Sequence, residues 1–176
     1  MPENTPLIII CTVLLLLLLA AVVYYFMRFM RGSITLTMPQ TSYEPAEVIS
    51  GSFDLLTKQA VQGNQLVVTL TGTKVTEYRD TEGDKQTSMD EIYRDQVVLE
   101  SAREYPAGHS ARHDFQIVAP NVQSPEFRNS ALGQNMLSAS KLLSSSQTRI
   151  KWKIEARLDA KGIDLADSQT VQLNLG

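Results

Sequence analysis

The sequence predicts an all-β domain, folded as an antiparallel sandwich of about seven strands, behind a single transmembrane α-helix. Two observations lead to this prediction. The first is a stretch of 21 uncharged, mainly apolar residues near the N-terminus. The second is that apolar and polar residues alternate with a period of two through most of the remaining chain, with turn-forming residues between the alternating segments. A helix that is apolar all round fits a membrane, and strands that are apolar on one face fit a sandwich.

The uncharged stretch, Leu7–Met27, is predicted to cross the membrane as one helix. A hydrocarbon core of about 30 Å takes roughly 20 apolar residues at the rise of an α-helix. Tyr24 and Tyr25 lie near its second end, where tyrosine rings favour the boundary between lipid and water. A cleaved signal peptide is the competing interpretation, but it requires a basic N-terminal region, and Met1–Pro6 contains no lysine or arginine. We therefore expect a retained anchor.

Two arginines set the predicted orientation. Arg28 and Arg31 follow the apolar stretch, whereas no basic side chain precedes it. The positive-inside rule therefore predicts that the short tail, residues 1–6, lies outside and that the soluble domain is cytoplasmic. The expected location is the cell (inner) membrane, in a single pass. Residues 28–32 are expected to form a juxtamembrane linker, and residues 33–176 the folded domain.

The chain beyond the anchor is mildly acidic and free of cysteine. From Gly32 to Gly176 it carries 14 basic and 18 acidic residues, a net charge of −4. This balance argues against nucleic acid as a partner, because phosphate backbones are bound by positive surfaces. Cys11, the only cysteine of the sequence, lies in the apolar stretch. The domain therefore has no intrachain disulfide, which suits a reducing cytosol.

Seven segments of the domain are predicted to be strands. The clearest is Ile150–Leu158, where apolar residues alternate with Lys151, Lys153, Glu155 and Arg157. One face of this strand therefore belongs to a core and the other to solvent. The other strands present these apolar residues on one face: Ile34, Leu36 and Met38; Ile49, Phe53 and Leu55; Leu66, Val68 and Leu70; Val97 and Leu99; Phe115 and Ile117; Val171, Leu173 and Leu175.

Residues 121–148 interrupt the alternating pattern. Apolar residues between Met136 and Leu143 indicate a short helix, which the serines at 144–146 would end. A loop this long in a compact domain usually carries a function or packs over the core. Two interpretations remain open: a packed cover over one end of the sandwich, or an insertion that faces the membrane or a partner.

Residue patterns suited to catalysis or metal binding are sparse. His109 and His113 form an H-x-x-x-H pair, but in an extended strand they are roughly 13 Å apart, too far to share one zinc ion. The sequence contains no G-x-S-x-G, G-x-x-x-x-G-K or G-x-G-x-x-G motif. Ser138 and Lys141 match S-x-x-K without the S-D-N and K-T-G motifs that accompany it in enzymes. We expect no catalytic residue, cofactor or metal, and hence no enzyme.

Several motifs resemble those of arrestin-like domains. Gly32–Leu36 followed by Tyr43–Phe53 resembles the first strand of that family and its Y-x-P-G-E-x-I-x-G turn and strand. The later motifs are a strand, a turn–strand–proline signature, and a strand that ends in a loop of small and acidic residues: Leu66–Gly72; Tyr105–His109 with Phe115–Pro120; Ile150–Asp159 with Gly162–Leu165. Their order and spacing agree over most of residues 32–176.

The resemblance implies an immunoglobulin-like (arrestin-like) sandwich, similar to sporulation-control proteins, and a scaffolding role rather than catalysis. Ala46 departs from the pattern, because the family favours glycine at this position of the turn. Arrestins contain two such sandwiches in tandem, whereas residues 33–176 suffice for one. One hypothesis is that a second copy, in a homo-oligomer, or a different subunit supplies the missing half.

Together these observations predict a membrane-anchored protein–protein interaction module, a scaffold or adaptor that holds a partner protein near the bilayer. Open sheet edges are the candidate binding sites, and the first and last strands are the candidate edges. Their residues are Ile34, Leu36, Met38, Val171, Leu173 and Leu175. The candidate membrane-boundary residues are Tyr24, Tyr25, Arg28 and Arg31. The alternative is an accessory subunit of a larger membrane protein complex, in which the transmembrane helix makes the specific contacts.

Overall fold

The computed structural model describes residues 5–79, 84–121, 134 and 148–174 of the 176-residue chain. Within these residues the elements longer than one residue are one α-helix and nine β-strands. In chain order they are α1 (Thr5–Arg31), β1 (Gly32–Thr37), β2 (Ser42–Tyr43), β3 (Val48–Thr57), β4 (Val61–Arg79), β5 (Lys85–Glu100), β6 (Arg103–Tyr105), β7 (Ser110–Val118), β8 (Thr148–Ala160) and β9 (Leu165–Leu173).

The strands form two sheets. One has three strands in the order β1-β3-β7, and the other has six, in the order β2-β9-β8-β4-β5 with β6 paired to the start of β4. The described pairings are antiparallel except for the short parallel contact between β2 and β9. The predicted class, an all-β antiparallel sandwich behind one helix, is confirmed. The short strands β2 and β6 add to the seven that the sequence predicts.

One face of each long strand contributes to a shared hydrophobic core. In β1 buried and exposed residues alternate along the strand. In β8 the side chains of Trp152, Ile154, Ala156 and Leu158 are buried, and they belong to the same cluster as Phe53 from the opposite sheet. Full burial of a large apolar side chain contributes roughly 1.5–3 kcal/mol. The period-two pattern of the sequence therefore accounts for the cohesion of the two sheets.

Helix α1 extends beyond the predicted span at both ends. The expected linker, residues 28–32, is not a separate segment, because the helix continues to Arg31 and β1 begins at Gly32. Residues 28–31 contain no helix breaker, and glycine is the usual residue at which a helix ends. By length and composition the helix is able to cross a membrane, and the side chains of residues 9–26 are exposed rather than packed on the sandwich.

Two sequence predictions fall largely outside the described residues. The insertion at 121–148 is described only at Asn121, Gln134 and Thr148, so both interpretations of its role stay predictions. Leu175, the last candidate edge residue, follows Asn174, where the described part of the chain ends.

The turn between β2 and β3 shows why the arrestin-like family favours glycine at the position that Ala46 occupies. This residue has a φ of 65°, and no other non-glycine residue in the described chain has a positive φ. The left-handed conformation costs an L-residue roughly 1–2 kcal/mol, and glycine avoids that cost. Two bonds hold the turn: the Glu47 N–H donates to the Glu44 carbonyl at 3.1 Å, and the Glu44 N–H donates to the Glu47 carboxylate at 2.7 Å.

Replacement of Ala46 by glycine is expected to raise the free energy of unfolding by about 1 kcal/mol, because it relieves the strain at positive φ. The measurement is chemical denaturation of the full chain in detergent micelles. Ala107→Gly is the matched control, in a turn where alanine has no positive φ, and it should lower stability by about 0.5 kcal/mol. Equal effects of the two substitutions would contradict the assigned role of Ala46.

Candidate functional site: sheet edges and the helix junction

Strand β1 lies at one margin of the three-stranded sheet, but its outer side is partly occupied. The side chains of Ile34 and Leu36 point into the core and are buried. The N–H of Leu36 donates to the carboxylate of Asp167 at 2.8 Å, and the amide of Gln169 donates to the Leu36 carbonyl at 2.8 Å. Met38 follows β1 and packs half-buried against the core. A partner strand would have to displace these β9 side chains.

Strand β9 lies beside β1 on the same side of the sandwich, and its C-terminal end is also covered. Val171 is buried and Leu173 is partly buried against the core. The Gln172 N–H donates to the Thr41 carbonyl at 2.7 Å, and the Asn174 N–H donates to the Tyr43 carbonyl at 3.0 Å. Both edges predicted from the sequence are therefore engaged with other parts of the chain over much of their length.

Strand β7 forms the opposite margin of the three-stranded sheet. The Thr57 N–H donates to the His109 carbonyl, and the Ala119 N–H donates to the Glu47 carbonyl, each at 2.9 Å. These two bonds place the odd-numbered backbone groups of β7 against β3. The N–H and C=O groups of the even-numbered residues, from Arg112 to Gln116, therefore point away from the sheet. In the part of the chain that the structure describes, no strand pairs with this side.

The sequence pattern did not predict that β7 is an edge strand. Alternation shows which face of a strand is buried, but lateral order in a sheet depends on which strands pair, and this pairing is non-local. The one available signal is the charged pair Arg112 and Asp114, since charged side chains are frequent on edge strands. In the structure the Arg112 guanidinium lies over the sheet and donates to the Ser52 hydroxyl at 2.7 Å.

The two histidines contact different aromatic rings. His113 stacks on Phe53 with ring centroids 5.3 Å apart, whereas His109 lies against Tyr105 at 5.4 Å. Among the described residues, no group of three or more histidine, cysteine, aspartate or glutamate side chains is arranged to hold a metal ion. Each imidazole thus packs against an aromatic ring, His109 just before β7 and His113 in the middle of that strand.

The hydroxyl of the buried residue Tyr105 links the end of β6 to the end of β5, next to His109. Tyr105 donates to the Glu100 carboxylate at 2.6 Å, and Arg103 pairs with the same carboxylate at 3.1 Å. Burial, together with this hydrogen bond, raises the pKa of Tyr105 above its usual value. Burial alone would raise the pKa of Glu100, but the bond from Tyr105 and the charge of Arg103 outweigh it, so the pKa is lowered. Glu100 is therefore ionised at neutral pH.

The end of α1 is bonded directly to the sandwich. The Arg31 guanidinium donates to the carbonyls of Ile163 and Lys161, at 2.8 and 2.7 Å, in the turn between β8 and β9. The Lys58 N–H donates to the Arg31 carbonyl at 2.8 Å. The Lys58 ammonium also lies 3.3 Å from the centre of the Phe29 ring, a cation–π contact. Four contacts thus hold the helix to two turns of the domain.

Gly32 permits this direct connection. Its φ is 145°, and a Cβ at this position would lie 2.0 Å from the carbonyl oxygen of Leu56 on β3. Any other residue would collide with the neighbouring backbone at the first pair of the β1–β3 ladder, Gly32 with Thr57. The helix is therefore followed at once by a paired strand because a glycine stands between them.

The architecture defines an arrestin-like β-sandwich. The solved structure of Spo0M, a sporulation control protein from Bacillus subtilis, has a similar fold, with a TM-score of 0.54 and 12% sequence identity. The match covers 81% of this chain and 49% of that chain, so this protein spans about half the length of Spo0M. No protein-family model and no curated protein matches the sequence. The likeness confirms the predicted arrestin-like fold and does not bear on the membrane anchor.

Arg31→Lys is expected to loosen the helix junction, because one ammonium cannot replace a guanidinium that bridges two carbonyls. Loss of a charge-assisted hydrogen bond should speed amide exchange in residues 161–164 about tenfold. Hydrogen exchange of the full chain in detergent micelles measures this effect. Arg94→Lys is the control, since Arg94 forms an exposed ion pair with Glu91, and exchange there should change little. Unchanged exchange at 161–164 in Arg31→Lys would show that the bridge is not stabilising.

Proposed function

We propose that this chain is a single-pass membrane protein whose sandwich binds another protein close to the bilayer, as a scaffold or adaptor. The observation that carries the proposal is the apolar surface of α1 next to a folded domain. Side chains such as Leu15 and Leu18 are 65% exposed. Exposed apolar area is unfavourable in water by roughly 25 cal/mol per Å², and a lipid environment removes this cost.

The proposed location is the cell (inner) membrane, with the sandwich in the cytoplasm and the N-terminal tail outside. Arg28 and Arg31 support this orientation through the positive-inside rule. The hydrogen bonds from Arg31 to the β8–β9 turn keep its charge on the side of the sandwich. Tyr24 and Tyr25 lie about one helical turn before Arg28 and are the proposed boundary residues. Their rings meet edge-on with centroids 5.8 Å apart.

The proposed partner site is the outer edge of β7. An extended segment of a partner would pair with the outward N–H and C=O groups of Arg112, Asp114 and Gln116, and so extend the three-stranded sheet. Strand addition supplies affinity through main-chain hydrogen bonds and specificity through alternate side chains. Strands β1 and β9, the edges predicted from the sequence, are less suited because Leu36 and Gln172 are already bonded within the chain.

The proposed role is regulatory binding rather than catalysis. Spo0M, a solved structure with a similar fold, is described as a sporulation control protein, and we propose a controlling rather than enzymatic role for this chain as well. Because the chain spans 49% of that protein's length, a second copy of the chain or a different subunit is included among the candidate partners.

Asp114→Pro should abolish binding at β7 while leaving the fold intact, because proline removes an N–H that points away from β3. The readout is a photo-crosslinking amino acid at Gln116 of the full chain in native membranes. We expect a protein adduct that Asp114→Ala retains and Asp114→Pro loses. A crosslinker at Lys151, on the outer face of β8, is the positional control. An adduct that persists in Asp114→Pro, or forms equally from Lys151, would exclude the β7 edge.

Exchange of Leu7–Met27 for an unrelated apolar helix separates the proposed function from the accessory-subunit alternative. If the helix serves only as an anchor, the adduct at Gln116 should persist at an unchanged yield, because the partner contacts the sandwich. Loss of the adduct in a chain that still fractionates with membranes would instead support specific contacts made by the helix. Fractionation after alkaline carbonate extraction provides the control for insertion.

A further inference from the structure

A cleft lies between the last turns of α1 and the margin where β1 meets β9. It has a volume of about 470 Å³. Its lining is mainly apolar and includes Tyr25, Phe29, Ile34, Leu165 and Ala166. The helix side of the cleft is open, since Tyr25 and Phe29 are 67% and 65% exposed, whereas Ile34 and Leu165 form a buried floor. The cleft thus offers an apolar surface at the point where the helix enters the domain.

Cationic residues lie next to this cleft. The Lys58 ammonium lies 3.3 Å from the centre of the Phe29 ring, which lines the cleft. Lys161 belongs to the turn whose carbonyls accept bonds from Arg31. Neither Lys58 nor Lys161 forms an ion pair with a carboxylate among the residues that the structure describes. The nearest acidic residue of the turn, Asp164, is paired with Arg157. Positive charge therefore remains available beside the apolar cleft.

The depth of the cleft matches the headgroup layer of a bilayer. Arg31 follows the end of the predicted span by four residues, or about 6 Å at the rise of an α-helix. The headgroup and interfacial layer occupies roughly 5–8 Å on each side of the hydrocarbon core. With this span, Tyr25 lies within the hydrocarbon, and Phe29, with the Lys58 ammonium on its ring, lies in the interfacial layer. The turn that contains Lys161 is bonded to Arg31 and so lies at the same end of the helix.

We propose that this cleft binds one anionic phospholipid, with its upper acyl chain against Phe29 and Ile34 and its phosphate beside Lys58 and Lys161. The proposal rests on the membrane anchoring proposed above. The apolar lining favours a lipid over free phosphate. The ammonium groups of Lys58 and Lys161, which pair with no carboxylate among the described residues, favour an anionic headgroup over a zwitterionic one. The bound lipid would give the sandwich a second attachment to the bilayer, in addition to its covalent link to the transmembrane helix.

The test uses the full chain in detergent micelles, supplied with equal amounts of phosphatidylglycerol and phosphatidylcholine of the same acyl length. Native mass spectrometry then counts the lipids retained. We expect a preference for phosphatidylglycerol that falls about fivefold for each of Lys58→Gln and Lys161→Gln. Lys151→Gln, which removes the same charge from the outer face of β8, should leave the preference unchanged. Ala166→Phe should reduce retention without a change of charge, because it fills the cleft.

Several outcomes would overturn the proposal. Equal retention of the two lipids excludes an anionic site. Competition by inorganic phosphate, with no effect of Ala166→Phe, identifies a site for free phosphate instead. A photo-crosslinker at Tyr25 that labels a protein rather than lipid assigns the cleft to a partner helix. Alkaline carbonate extraction is measured in parallel. If the chain stays in the membrane but shows no lipid preference, only the lipid site is contradicted. If carbonate extracts the chain, the proposed membrane anchoring is contradicted as well.

Discussion

The direct passage from α1 into β1 is the constraint on which the arrangement of this protein depends. Gly32 allows the helix to be followed at once by a strand paired with β3, and Arg31 and Lys58 bond the helix end to two turns. The turns at 57–61 and 160–165 therefore lie at the helix end of the sandwich. These contacts fix the point at which the helix enters the domain.

The backbone polar groups of the two edge strands, β1 and β7, differ in whether the chain itself supplies their hydrogen bonds. A strand at the edge of a sheet leaves half of its backbone polar groups without a strand partner, and such groups require hydrogen bonds. On the β1 margin, Asp167 and Gln169 from the other sheet supply these bonds to Leu36. On the β7 margin the groups from Arg112 to Gln116 face outward. This asymmetry leaves the β1 margin partly closed and the β7 margin open among the described residues.

The two proposed binding surfaces are on different margins. The cleft that we assign to a lipid is lined by β1, β9 and α1, whereas the proposed partner edge is β7, beyond β3 in the same sheet. Occupation of one surface does not obstruct the other. A lipid bound at the junction would restrain the helix and the closed margin, and the open margin would stay accessible to a protein. The proposed membrane attachment and the proposed partner binding therefore use separate surfaces of one small domain.

The apolar run and the period-two alternation by themselves determined the helix, the strands and the inward faces, because these features depend on local composition and on which side chains avoid water. Ile150–Leu158 is the clearest case, since each residue predicted to point inward from Trp152 to Leu158 is buried. The only sign of the positive φ at Ala46 in the sequence is that alanine stands where the turn of arrestin-like domains has glycine. The identity of the free edge, the continuity of helix and strand, and the cleft between them were decided by the tertiary structure. They depend on contacts between residues far apart in the chain, such as Arg31 with Ile163 and Leu36 with Asp167, and local patterns do not encode such pairings.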